Sequence, residues 1–286
     1  MTHDKAFWKA IAAADYAVPD GESVRALTAE LLACLGSPDS ELRDDIAYTT
    51  MAHWATRGVL SPDDLRFMLH TVGPNMMRPM SPAAILSGES DADGILLRSF
   101  SALTLSLVAY CDWKTPFSEQ DEFEAMMTIA EAYFLTESDL RGYVDGIGWI
   151  HATAHTADVF KFLARNRYIT AENLHSMLNT IAIKLVAALP YIYTHSEDER
   201  VAMAVVDIAK RDMLTAEQLA AFVTRLSAVT ERDQTEAFDP VAFARYMNVK
   251  NFLRALYFRL RFADPPVTGA HDLGQRVEDA LRLFKA

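Results

Sequence analysis

Apolar residues recur along most of the chain at the three- and four-residue spacing of an amphipathic helix. Val24, Leu27, Leu31, Leu32 and Leu35 show it early, with Ser23 or Gly21 as a cap before them and Gly36-Ser37-Pro38-Asp39 as a stop after them. Trp8 to Ala14 suits a shorter helix ahead of that one. No stretch of useful length alternates apolar and polar positions with the period of a strand, so the expected class is all-α.

One junction returns along the chain. The helical pattern of 40–57 is followed by Leu60-Ser61-Pro62-Asp63-Asp64-Leu65. That of 149–166 is followed by Ile169-Thr170-Ala171-Glu172-Asn173-Leu174, and that of 199–210 by Leu214-Thr215-Ala216-Glu217-Gln218-Leu219. Each copy places an aliphatic residue, a Ser or Thr cap, a Pro or Ala, an acid, a polar residue and a Leu before the next helix. The cap oxygen serves the first free N–H groups, and the acid suits the positive end of the helix dipole. A looser copy sits at Phe117-Ser118-Glu119-Gln120-Asp121, after a helix from Ile95 to Tyr110. The interval of roughly 45 to 60 residues is that of paired-helix repeats with insertions. Two architectures stay open for a single domain over 1–286: helical hairpins stacked as a HEAT-like α-solenoid, or an irregular helical bundle. The stretch 73–94, rich in Pro, Met, Gly and Ser, is expected to be a long loop with one turn at Pro82–Leu86. A basic, aromatic helix is expected at 241–262, carrying Arg245, Lys250, Arg254, Arg259 and Arg261, and a last one at 273–285.

Composition narrows the function classes. A hydrophobic fraction of 51% with 23% charged residues is that of a globular protein. The net charge of −12 disfavours nucleic-acid binding and docking on an anionic membrane, both of which need clustered Lys and Arg. Cys34 and Cys111 lack metal-type spacing, so reduced thiols and a cytoplasmic location are expected. The most apolar stretches, 102–111 and 181–190, are too short to span a bilayer.

The unusual chemistry lies in 140–165, LRGYVDGIGWIHATAHTADVFKFLAR. If a helix starts near Gly148, His151, His155 and Asp158 fall within a ~60° arc of one face. Two imidazoles and a carboxylate so placed suit zinc or another divalent transition metal, with a position left for water. Asp44, Asp45, His53 and Asp145 are nominees for a further ligand. The plainer alternative is a polar stripe that Lys161 and Arg165 continue. No Glu follows the first His, as a zinc-protease helix requires. Arg141, beside Tyr143 and Trp149, suits a pocket for a small acidic ligand, with an ion pair to Glu137, Asp139 or Asp145 as the alternative. Arg43, Arg98 and Arg200, each near an acid, read as structural pairs. No Ser or Cys stands in a nucleophile-elbow context.

The segment ESDLRGYVDGIGWIHATAHTADVF (137–160) resembles a bacterial family known as domain-of-unknown-function family 2785. ELRDDIAYTTMAHW (41–54), LLRSFSALTLSLVAYCD (96–112) and EDERVAMAV (197–205) fit the same resemblance, which spans about residues 24 to 230. Ile147 stands where that family pattern leads one to expect a basic residue. The resemblance implies a helical fold and no activity. The functional expectation is therefore a helical-repeat protein that binds a protein or a small acidic ligand through Arg141, Tyr143, Trp149, His151 and His155. The alternatives are a metal-dependent hydrolase centred on His151, His155 and Asp158, and a scaffold that associates through the basic helix.

Overall fold

The computed structural model describes residues 2–79, 92–187, 190–230, 238–264, 267 and 273–284. Among them the chain is all-α apart from one two-stranded hairpin. The helices are α1 (Lys5–Ala13), α2 (Val24–Ala33), α3 (Thr49–Thr56), α4 (Pro62–Met76), α5 (Ala92–Lys114), α6 (Gln120–Thr136), α7 (Ala152–Leu163), α8 (Ala171–Leu185), α9 (Glu197–Ala209), α10 (Ala216–Ser227), α11 (Pro240–Arg261) and α12 (Leu273–Leu281). Residues Glu41–Tyr48 wind as a π-helix directly into α3. The hairpin, β1 (Tyr143–Val144) and β2 (Gly148–Trp149), lies between α6 and α7.

The repeated junctions start helices as their chemistry dictates. Ser61, Thr170 and Thr215 each accept from the N–H three residues on, and Asp64, Asn173 and Gln218 reach back to the cap N–H. The looser copy works differently. Ser118 donates to Asp112 Oδ2 at 2.7 Å, and Glu119 begins α6 with its N–H bonded to Glu122.

Two chains of helix contacts run through the molecule. In one, α3, α5, α7, α9 and α11 each pack on the next; in the other, α2, α4, α6, α8, α10 and α12 do the same. The α5–α7 contact is the most extensive. By length and composition α5 is long and apolar enough to cross a membrane, contrary to the expectation for this region, and 83% of its most apolar window is buried inside the protein. It packs on α3, α4 and α7.

Two boundaries differ from expectation. Helix α4 continues through Gly73 and Pro74 to Met76, with Gly73 buried and facing Ile129. The rest of the expected loop, with its turn at 82–86, falls largely in 80–91, outside the described residues. Helix α7 starts at Ala152 rather than near Gly148, since His151 takes a left-handed backbone (φ 54°). The polar stripe expected on α7 is no solvent face either: between α5 and α9, every residue from Ala152 to Phe160 is buried.

Candidate functional site

The segment joining α6 to α7 is held at both ends by buried charge. Arg98 on α5 pairs with Glu137 at 2.7 Å, both side chains 4% exposed. Glu137 also accepts from the Asp139 N–H, and Lys184 donates to its backbone carbonyl. Burial pulls the Lys184 ammonium down to about 8, against the opposing pull of Glu137. Arg141 is gripped by Asp139 through Nε–Oδ1 (2.9 Å) and Nη2–Oδ2 (2.6 Å). The alternative reading of Arg141 as an ion-pair partner is the one the structure realises.

The hairpin is clamped from the π-helix. Arg43, fully buried, donates to the carbonyls of Ser37 and Ile147 at 2.8 Å each, and its guanidinium lies 4.8 Å over the Phe100 ring. Its Nε stands 2.7 Å from Asp44 Oδ1, an ion pair without an aligned hydrogen bond. At residue 147 Arg43 uses the main-chain oxygen, so the clamp needs no particular side chain there. Gly148, at φ +89°, lies so close to Arg43 and Ser40 that a Cβ would meet both.

This packing opens a cleft of about 660 Å³ between the π-helix, α5, the hairpin, the start of α7 and α9. Ser40, Asp44, Asp45, Tyr48 and Thr49 line one wall at the four- and five-residue spacings of a π turn. Such turns occur disproportionately at functional sites. The other wall is aromatic. Tyr143 meets Trp149 edge-on at 5.2 Å, Trp149 stacks on His151 at 4.6 Å, His151 meets His155 edge-on at 5.7 Å, and His155 meets Phe100 at 5.2 Å. Tyr143 and Trp149 are 45% and 39% exposed, so they form the mouth.

Both histidines have defined proton positions. Ser99 Oγ donates to the Ile150 carbonyl, so toward His155 Nδ1, 2.8 Å away, it accepts. The Ser99 backbone oxygen, 3.2 Å from the same nitrogen, can only accept. Nδ1 therefore carries the proton and Nε2 the lone pair. No hydrogen-bond partner for that Nε2 is found among the described residues, although the residue is only 5% exposed. His151 Nε2 lies 2.8 Å from the His195 carbonyl and so carries its proton, which leaves Nδ1 as the acceptor. Burial lowers the His151 pKa, opposed by that carbonyl and by buried Glu197 at 3.4 Å. Burial takes the His155 pKa well below the usual imidazole range, helped by repulsion from the protonated form of His151 and by the charges of Arg200 and Arg43. Both rings are neutral at pH 7. Burial also raises the Asp44 carboxyl, against the pull of Arg43.

Of the residues singled out from sequence, Tyr143, Trp149, His151 and His155 converge on the cleft, and Asp44 and Asp45 join them. Asp145 is exposed at the hairpin turn, and His53 stacks on Tyr16 at 3.7 Å. Asp158 is held by Arg200 and by Lys161, 3.2 Å away. With His151 off the helix and Asp158 engaged by two cations, the His151–His155–Asp158 set does not fit a metal ion. Among the described residues no three His, Cys, Asp or Glu side chains are grouped so as to hold one. Tyr48, Phe100 and Ser99 carried no sequence signal of a site. Arg43, Arg98 and Arg200 do pair with acids, and Arg200 also lines the cleft.

A family model described as "Protein of unknown function (DUF2785)" matches residues 85–258, more than half of the chain. The match includes the hairpin, both cleft histidines and Arg200, and leaves out the π-helix wall. No curated protein matches the chain, and no solved structure does.

Proposed function

We propose, because the chain belongs to the DUF2785 family and that family's description states no activity, a function read from the cleft: a cytoplasmic helical-repeat protein that binds a small molecule between the π-helix and the hairpin. The carrying observation is the pair of neutral histidines, each oriented by a hydrogen bond behind it, at the back of a cleft whose mouth is aromatic. A volume of about 660 Å³ lies within the usual range for small-molecule sites, roughly 300–1,000 Å³. The two chains of successive helix contacts support the repeat reading. Cys34 and Cys111, both buried cysteines, suit a reducing compartment. Because Arg141 is committed to Asp139, the ligand is read from the cleft itself and not from that arginine.

The test is a thermal-shift screen of metabolite-sized compounds against the wild type and Trp149→Leu. Compounds that stabilise the wild type and lose their effect in the variant support the reading. Compounds that stabilise both proteins equally place the ligand elsewhere and reject it.

A further inference from the structure

We propose that the cleft takes a small organic cation, a guanidinium or primary ammonium group, with Asp44 and Asp45 as charged acceptors, His155 Nε2 as a neutral acceptor, and Trp149 and Tyr143 as aromatic walls. The proposal rests on the cleft being the ligand site and adds the chemistry of its ligand.

The carboxylates and imidazoles lining the cleft outnumber its cations: Asp44, Asp45 and two neutral histidines face one arginine, Arg200. Asp45 is exposed at its edge and has no ion pair among the described residues. Asp44 is held by Arg43 at Oδ1 only, and its Oδ2 faces the Gly148 side of the cleft. His155 contributes the strongest single pointer. Its ring is almost wholly buried, Ser99 fixes its tautomer, and the nitrogen left without a partner carries a lone pair. Arg200 is the one cation on the cleft wall among the described residues, and Asp158 takes two of its nitrogens. The free carboxylate charge at the mouth is therefore that of Asp45.

The apolar surface agrees. An ammonium or guanidinium group packs favourably over an indole or phenol face. Trp149 and Tyr143 meet edge-to-face, half out in solvent beside the carboxylates. An anionic ligand would meet two carboxylates and two imidazole lone pairs with no free cation to receive it.

The experiment is calorimetric titration of the full chain with agmatine and spermidine as cationic probes, and with glutarate and inorganic phosphate as anionic ones. At least one cationic probe is expected to bind with Kd of about 1 mM or tighter, and both anions weaker than that. Asp45→Asn, at an exposed position, is expected to weaken cation binding about tenfold or more, the value of one charge-assisted hydrogen bond. His155→Gln and Trp149→Leu should weaken it as well, with far-ultraviolet circular dichroism confirming that each is folded. Anion binding that Trp149→Leu abolishes would keep the cleft as the ligand site and overturn the cation. Cation binding unchanged by both Asp45→Asn and Trp149→Leu would overturn this site for it. No binding by any probe would overturn the proposal, and stabilising hits in the wider screen would then decide the cleft separately.

Discussion

His155 concentrates the physics of the site in one side chain. Its neutral form is fixed by burial, and its tautomer by Ser99. The sign of the pH effect follows. Above the unfolded-state value near 6.5 the ring is neutral in both states, and its full contribution is present. Below that value the unfolded chain takes up a proton that the folded chain refuses until the pH passes the lowered native pKa. Stability therefore falls with acidification, by up to about 1.4 kcal/mol per pH unit for each such histidine. Urea unfolding at pH 7.5 and 5.5 should show a clear loss in the wild type and a smaller loss in His155→Gln. Equal losses in the two proteins would assign the acid sensitivity to other groups. That His155 is an unusual residue in its helix was legible in the sequence; its partner was not. Ser99 lies 56 residues away on α5, and nothing local to either residue announces the contact.

At the scale of elements, local chemistry was readable and long-range clamping was not. Ser61, Thr170 and Thr215 announced their helices because a cap acts on N–H groups three residues away. The start of α7 was misplaced because the hairpin before it is held by Arg43, 104 residues from the carbonyl it binds. The π winding of Glu41–Tyr48 had no signal in its apolar spacing. The segment before the hairpin has a second anchor, the Arg98–Glu137 pair. Two charges out of water stabilise little as a pair, yet removing one leaves the other buried without compensation. Arg98→Met is expected to cost about 3–5 kcal/mol, read as the urea midpoint multiplied by the slope. Pairing it with Glu137→Gln, which removes the stranded charge, should recover part of that loss. A cost below about 1 kcal/mol in the single variant would mean that the pair is not what holds the segment.

Across the whole molecule, the all-α class was legible from periodicity, while the cleft was not, because its walls come from residues near 40–49, 100–103, 143–155 and 200. Only the order in which helices stack brings those regions together. That order also makes a physical prediction that separates stacked repeats from a uniform bundle. In a stack, each helical pair is stabilised by its neighbours, so a terminal pair has support on one side and a central pair on two. Helix α5 touches α3, α4 and α7, whereas α12 rests on α10 and α11 at the end of its row. Native-state hydrogen exchange should therefore be graded, with the amides of α12 exchanging first and those of α5 and α7 last, slower by at least about tenfold. Leu256, fully buried on α11, offers a lever. Leu256→Ala leaves a cavity worth about 2–5 kcal/mol in a well-packed core. In a stack, that loss should accelerate exchange in α11 and α12 much more than in α5. If instead every helix exchanged through one common opening, and Leu256→Ala shifted all of them by the same factor, the molecule would behave as a single cooperative bundle. The two chains of helix contacts would then describe geometry without describing energetics.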